Sequence, residues 1–217
     1  MSIDWQIIEK AIPLLFEGAL ITLEVSALSA VLGLVMGVLF GLMLLSDSRL
    51  LRGLVSAYVD FIRGTPLLIQ IFLVFFALPV IGIRLDEFWA GVFALSLNAA
   101  AFVAEVVRGG VGAIEKGQAE AARSIGMRRG QILFWILLPQ AYRQMVPPLT
   151  NEMISLVKNS SLLSVISVYE LTRAGQAIIS IHFVPFEIYT LLALYYYVLI
   201  KLLSWLSRWI ERRLPAW

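Results

Sequence analysis

The sequence predicts an all-α membrane protein with five transmembrane helices, the N-terminus outside the cytoplasm and the C-terminus inside. Composition is the first observation: of 217 residues, 60% are hydrophobic and only 15% are charged. Soluble domains contain about 45–50% apolar residues, so a chain of this size could not bury so much apolar surface in water. The other two observations are five long apolar segments and an uneven distribution of Lys and Arg.

Five segments are apolar enough to be membrane spans, each of which needs about 20 residues. They are residues 18–45, 54–80, 88–107, 145–167 and 185–206. The second is interrupted by RGTP at residues 63–66, and the fourth is the most polar of the five. No repeat or linker divides the chain, so residues 1–217 are predicted to form a single membrane domain.

Small residues form a stripe along the first predicted span. Steps of three and four residues place them on one face of a helix. The stripe comprises Thr22, Ser26, Ser29, Gly33, Gly37 and Gly41. Because small residues let helix backbones approach closely in lipid, we expect this face to pack against another span.

The distribution of charge sets the predicted orientation, since cytoplasmic segments of membrane proteins are enriched in Lys and Arg. With the N-terminus outside, residues 46–53, 108–144 and 201–217 are cytoplasmic and contain two, six and four of these residues, twelve in all. The outer segments contain three, namely Lys10, Arg84 and Arg173. This bias predicts that residues 108–144 lie in the cytoplasm.

Motifs for several chemistries are absent from the sequence. The chain has no Cys and one His, so it lacks the His and Cys clusters that bind zinc and similar metals. It also lacks the G-x-x-x-x-G-K-[ST] motif that cradles nucleotide phosphates, and no basic patch indicates a nucleic-acid partner. We therefore expect no cofactor on this chain, and any ATP must bind to another subunit.

The cytoplasmic stretch 115–130, EKGQAEAARSIGMRRG, is predicted to contain a short helix because Ala and Glu favour helix. A helix with small residues on one face and charges on the other suits docking into a groove of another protein. A solvated loop with incidental helix explains these residues equally well. Physical reasoning alone leaves both alternatives open.

The same region resembles the EAA motif of ABC importer permeases. The matching residues, which also keep the spacings of the motif, are Glu120, Ala121, Ala122, Gly126, Ile136, Leu138 and Pro139. The resemblance implies the fold of a type I ABC importer permease, with a coupling helix at about 115–130 that docks into the ATPase. The implied docking residues are Ala119, Glu120, Ala121, Ala122, Arg123, Ser124, Gly126 and Met127. Residues 131–139 would form an interfacial elbow that ends at Pro139.

Four further stretches look like polar amino-acid permeases of the histidine, glutamine, cystine and arginine type. They are GALITLEVS (18–26), YVDFIRGTPLLIQIFLVFF (58–76), LSLNAAAFVAEVVRGGV (95–111) and NEMISLVKNSSLLSVISVYEL (151–171). The resemblance implies a non-enzymatic permease subunit in a bacterial cytoplasmic membrane, which moves a polar amino acid by alternating access. The implied partners are ABC ATPase subunits that bind ATP and Mg, a second permease copy or paralogue, and an extracytoplasmic amino-acid-binding protein.

Polar side chains at membrane depth are the candidates for a substrate site, because each is costly there and usually functional. The candidates are Arg63, Thr65, Asn98, Asn151, Glu152, Ser155 and Lys158. Arg63 and Thr65 lie beside Pro66, which disfavours helix and would free backbone groups toward a cavity. An amino acid needs a cation and an anion, which Glu152 could supply with either Lys158 or Arg63.

Each of these candidates also has a structural explanation. Arg63 could extend its charge to the membrane surface, Asn98 could form an interhelical hydrogen bond, and Glu152 and Lys158 could neutralise each other across a subunit interface. Glu105 is expected to pair with the nearby Arg108.

Two other functions are consistent with a polytopic membrane protein. An ion-coupled secondary amino-acid transporter would use Glu152 and Lys158 as its relay. A membrane scaffold without transport activity is disfavoured by the polar fourth span, because structural helices rarely retain such charges in lipid.

Overall fold

The computed structural model describes residues 5–212, and the regular elements within that range are all helical. The α-helices are α1 (Trp5–Leu44), α2 (Arg49–Gly64), α3 (Leu67–Phe72), α4 (Glu87–Gly112), α5 (Lys116–Ser124), α6 (Arg129–Gln131), α7 (Leu138–Asn159), α8 (Leu171–His182) and α9 (Pro185–Glu211). Leu73–Ala77 and Ile132–Leu137 are π-helical, and Leu78–Ile81 and Ser160–Ile166 are 3-10-helical.

Among the described helices, α1, α4 and α9 are long and apolar enough to cross a membrane. The bent pair formed by α2 and residues 67–81 makes a fourth if it is counted as one span. The predicted fourth span lies mainly in α7, which is too polar to be among these helices. The count of five spans and their orientation therefore remain predictions.

From Ser29 to Gly41 the small-residue stripe of α1 faces α4, the most buried of the long helices, whereas Thr22 accepts a hydrogen bond from the amide of Leu171 at the start of α8. Gly33, Gly37 and Gly41 lie against Ala99, Val103 and Val107 respectively. A Cβ added to Gly41 would lie 2.6 Å from the Cβ of Val107, closer than side chains pack. The expectation that this face packs against another span is confirmed, and the absence of side chains is what allows the two backbones to approach.

Helix α1 extends beyond the first predicted span, residues 18–45, because it begins at Trp5. Its 40 residues correspond to about 60 Å, roughly twice the thickness of the hydrocarbon core. The additional N-terminal part buries Ala11 and Leu15 against α8 and α9. Glu9 and Glu17 interrupt the apolar pattern there, but both are exposed on the opposite side of the helix.

The second predicted span breaks at the position that its sequence indicates. Thr65 is extended, with φ −121° and ψ 148°, because Pro66 disfavours helical backbone in the residue before it. The helical segments on the two sides of this break are bent by 113°. Residues 54–80 are therefore not one straight helix, and the end of α2 lies at a sharp corner.

Residues 129–159 are helical without interruption, so the predicted elbow at residues 131–139 does not end at Pro139. Pro139 does not end the helix but occupies the first turn of α7. The π-helical turn Ile132–Leu137 precedes it, and there the amide of Leu138 donates to the carbonyl of Leu133. Because this wider turn shifts the hydrogen-bond pattern, the missing donor of proline is accommodated, and the prediction that Pro139 is a stop is wrong.

Helix α8, which the sequence did not predict, is held in place by a buried carboxylate. Glu170 accepts hydrogen bonds from the amides of Thr172 (2.9 Å) and Arg173 (2.8 Å) at the start of α8. It also accepts one from the hydroxyl of Tyr196 on α9, at 2.9 Å. A fully buried carboxylate requires such partners, so Glu170 fixes α8 against α9.

Candidate functional site

Two cavities that share part of their lining lie between the end of α2, α4 and α7. The first has a volume of about 360 Å³, and its polar lining residues are Arg63, Thr65, Asn98, Glu152, Ser155 and Asn159. The second, of about 630 Å³, reaches toward the C-terminal end of α4, and its polar lining residues are Arg63, Glu105, Gln144, Asn151, Glu152 and Ser155. Four residues line both cavities and mark the boundary between them: Arg63, Phe102, Glu152 and Ser155.

Most of the predicted substrate-binding residues meet at these cavities. The first cavity brings together Arg63, Thr65, Asn98, Glu152 and Ser155, and the second adds Asn151. Lys158 is the exception, because its side chain is exposed and lines neither cavity. The use of Lys158 beside Glu152 therefore stays a prediction, although the charges of the two side chains interact.

Arg63 provides the positive charge at the boundary between the cavities. Its Nη1 lies 3.3 Å from Oε2 of Glu105 on α4, and its guanidinium carbon lies 5.6 Å from the ring centroid of Phe102. The expected pair of Glu105 with Arg108 is confirmed, with two bonds of 2.9 and 2.7 Å. Glu105 therefore belongs both to this surface pair and to the wall of the second cavity.

Gln70 holds the broken helix in its bent form. Its side-chain amide donates to the carbonyl oxygens of Ile62 (2.7 Å) and Thr65 (3.0 Å), and to the hydroxyl of Thr65 (3.0 Å). Its own carbonyl oxygen accepts a bond of 2.9 Å from the side chain of Asn98 on α4. Asn98 thus forms the interhelical hydrogen bond that was its structural alternative, while it also lines the first cavity.

Several residues of this region were missing from the predicted site. Gln70 is the most important, and its signal was its position one turn after the RGTP break, where freed backbone carbonyls need donors. Phe102 lies four residues after Asn98 and therefore on the same face of α4. Gln144 on α7 had no recognisable signal, because it precedes the predicted fourth span.

The predicted docking stretch forms an exposed helix, α5, on the surface of the described part of the chain. Its outward residues are Glu120, Ala121, Arg123 and Ser124, whereas Ala119 and Met127 are half-buried and Ala122 is buried. The helix ends in a Schellman motif: the amide of Gly126 donates to the carbonyl of Arg123 (2.9 Å), and that of Met127 to the carbonyl of Ala122 (3.2 Å). Gly126 has a φ of +82°, so its lack of a side chain has a direct structural reason.

Arg129, directly after this turn, connects the docking stretch to the end of α1. It forms an ion pair with Asp47, and its Nη2 donates to the carbonyl oxygen of Leu45 at 3.2 Å. Both partners belong to the short segment that joins α1 to α2. The docking stretch and α2 therefore have a common anchor point.

A helical membrane protein with polar cavities between its helices and an exposed charged helix at its surface has the features of a transporter subunit. The chain belongs to the family of binding-protein-dependent transport system inner membrane components, whose sequence profile matches residues 7–215. It is accordingly a multi-pass protein of the inner membrane, and its identification as an ABC importer permease is confirmed.

Individual relatives are similar over the entire chain. The arginine transport system permease protein ArtQ of Bacillus subtilis (strain 168) is 37% identical over 217 residues, which cover 100% of this chain and 99% of the relative. The glutamine transport system permease protein GlnP of Escherichia coli (strain K12) is 40% identical over 216 residues, or 99% of each. A crystal structure of an amino acid ABC transporter with histidines superposes with a TM-score of 0.92 at 38% identity, covering 99% of this chain and 100% of that one.

Proposed function

We propose that this chain is the permease subunit of an ATP-binding-cassette importer that moves a polar amino acid across the inner membrane. The observation that carries the proposal is that Arg63 and Glu152 line the same two cavities. A free amino acid carries a carboxylate and an ammonium group, so a site for it needs one partner of each charge. The names of the two relatives given above specify arginine and glutamine transport. The name of the solved structure specifies an amino acid transporter with histidines.

The remaining polar residues of the cavities would recognise or position the substrate. Asn151 and Ser155 lie on the same face of α7 as each other, one helical turn apart, and would donate hydrogen bonds to the polar groups of the ligand. Thr65 and Asn98 use polar atoms to hold the α2 break together. Their proposed contribution is therefore the shape of the first cavity and the placement of Arg63.

Energy for transport would come from a partner chain through α5. We propose that its exposed residues dock into an ABC ATPase subunit, which binds ATP and Mg, because the present sequence has no P-loop. A second permease copy or paralogue would complete the translocation path, and an extracytoplasmic binding protein would deliver the amino acid. With the N-terminus outside and the C-terminus inside, ATP-driven movement of α5 would open the cavities alternately to the outer side and to the cytoplasmic side of the membrane.

Uptake into proteoliposomes containing the complete transporter tests the proposal. We expect ATP-dependent uptake of a labelled amino acid, with L-arginine, L-glutamine and L-histidine each measured. Arg63→Gln and Glu152→Gln should each lower uptake by about ten-fold or more, the effect of losing roughly 1.4 kcal/mol of binding. Lys158→Gln is the matched control on α7, outside both cavities, and should retain uptake.

Uptake that needs an ion gradient and no ATP would overturn the proposal in favour of the ion-coupled alternative. That alternative requires Glu152 and Lys158 to act together as a relay. The exposed position of Lys158, outside both cavities, gives it no support.

A further inference from the structure

The guanidinium of Arg63 is held loosely at the boundary between the two cavities. Its only described ion pair is a single contact of 3.3 Å with Glu105, whereas charge-assisted hydrogen bonds are about 2.7–2.9 Å long. The face of Phe102 supports the group from a second direction. Since the Arg63 side chain remains 45% exposed, it has donors available for a ligand in either cavity.

Glu105 is held much more firmly, and by a different residue. Arg108 donates from Nε to Oε1 of Glu105 at 2.9 Å and from Nη2 to Oε2 at 2.7 Å. This is the two-bond geometry in which guanidinium and carboxylate fit best. When Arg63 moves away to bind a ligand, Glu105 therefore remains paired with Arg108. No unpaired carboxylate is left at the cavity wall.

We infer that Glu105 competes with the substrate for Arg63. Glu105 holds the Arg63 guanidinium at the cavity wall until the carboxylate of an incoming substrate takes the place of Glu105. The inference rests on the proposed amino-acid site. An amino-acid carboxylate can offer Arg63 two parallel bonds, whereas Glu105, already occupied by Arg108, offers one longer contact. Glu105 thus weakens carboxylate binding at Arg63 and makes release of the ligand easier.

Competition of this kind has a second consequence, because it acts only on ligands that present a carboxylate. A ligand without that group has no means of replacing Glu105 at Arg63. Glu105 therefore affects specificity by lowering the preference of the site for ligands that carry a carboxylate, although it need not touch the substrate.

Calorimetric titration of the detergent-solubilised permease–ATPase complex tests this inference. The probes are L-arginine and L-glutamine, together with agmatine and 4-aminobutanamide, which are the same compounds without the α-carboxylate. Glu105→Gln should lower the Kd of the amino acids by roughly two- to five-fold, the range measured for partly exposed ion pairs. It should not tighten the binding of the two carboxylate-free compounds.

Two further variants locate the effect. In an Arg63→Gln background, Glu105→Gln should produce no tightening, because the group competed for is absent. Asp60→Asn is the matched control: Asp60 is an exposed carboxylate on α2, one turn before Arg63, and its side chain accepts a bond from Ser56. Its neutralisation should leave the Kd unchanged.

The possible failures are distinguishable. Unchanged or weaker amino-acid binding in Glu105→Gln, with weaker binding in Arg63→Gln, would overturn the competition and leave the proposed site intact. Equal tightening for agmatine, or tightening that persists without Arg63, would also overturn it. If Arg63→Gln leaves the Kd of the amino acids unchanged, or the wild-type complex binds neither amino acid, the proposed site is wrong. The inference that rests on it is then wrong as well.

Discussion

The side-chain amide of Asn98 donates a hydrogen bond of 2.9 Å to the side-chain oxygen of Gln70. The amide of Gln70 is at the same time 2.7 Å from the carbonyl oxygen of Ile62, near the end of α2. One glutamine therefore connects the buried face of α4 to both sides of the α2 break. The carbonyl groups that the break at Pro66 leaves without helical partners therefore accept hydrogen bonds from a buried side chain.

We predict that Gln70→Leu destabilises the protein by about 1–3 kcal/mol, because it leaves buried acceptors without a donor. The thermal unfolding midpoint of the detergent-solubilised protein should fall. Gln140→Leu is the control, since Gln140 is exposed on α7 and donates only to the carbonyl of Ile136 within its own helical segment. Equal midpoints for the two variants would show that Gln70 does not hold the break.

Gly37 is the tightest point of the contact between α1 and α4. Gly37→Ala should cost about 1–3 kcal/mol through overpacking, because its new methyl group would overlap with Val103. The change should appear as a lower yield of folded protein and a lower unfolding midpoint. Adding Val103→Ala should recover part of the loss.

A second glycine provides the control for that experiment. A Cβ at Gly53 on α2 would meet no described side chain within 4 Å, and alanine favours helix over glycine by about 1 kcal/mol. Gly53→Ala should therefore be neutral or slightly stabilising. A Gly37→Ala protein as stable as Gly53→Ala would contradict the close approach of the two helices.

Gly126 should be intolerant of most side chains because of its backbone rather than its surroundings. Its φ of +82° costs a side-chain-bearing residue about 1–2 kcal/mol, and asparagine tolerates the left-handed region better than alanine does. We expect Gly126→Ala to reduce ATPase co-purification and uptake more than Gly126→Asn does. The control is Gly117→Ala, a change in the first turn of α5 with open space around it, which should preserve both co-purification and uptake. If Gly126→Asn reduced them more than Gly126→Ala does, the backbone explanation would be contradicted.

Glu170 is the subject of the fourth test, because its carboxylate both caps α8 and accepts a hydrogen bond from α9. Glu170→Ala removes a helix cap, worth typically about 1 kcal/mol, and also removes the acceptor of the Tyr196 hydroxyl. The unfolding midpoint should decrease, and Tyr196→Phe should reproduce only part of the decrease. Glu9→Ala, which removes an exposed carboxylate from α1, should have no comparable effect.

Local sequence signals predicted the features whose causes are local. Proline chemistry gave the position of the α2 break, and periodic small residues predicted a close contact for α1. The N-terminal part of α1 lies outside the predicted span because Glu9 and Glu17 lower its apolar content. A helix can nevertheless expose charges on one side while it buries Ala11 and Leu15 on the other. Hydropathy averages over both faces and cannot make that distinction.

Other features depend on tertiary contacts that no single segment encodes. Opposite charge suggested that Lys158 and Glu152 act together on an amino acid, but the packing of α7 leaves Lys158 outside both cavities. The role of Gln70 depends on Asn98, 28 positions further along the chain. Pro139 was predicted as a stop because the π-helical turn that accommodates it could not be recognised from its residue types.

Helix α2 links the docking stretch to the wall of the cavities. Its 16 residues form a rod of about 24 Å. The segment that precedes α2 binds Arg129 through Asp47 and Leu45, beside the docking stretch. The other end of α2 carries Arg63, which lines the cavities. If Arg129 moves together with the docking stretch, α2 would transmit that displacement along its length to the guanidinium of Arg63, and a positive charge would move at the cavity wall.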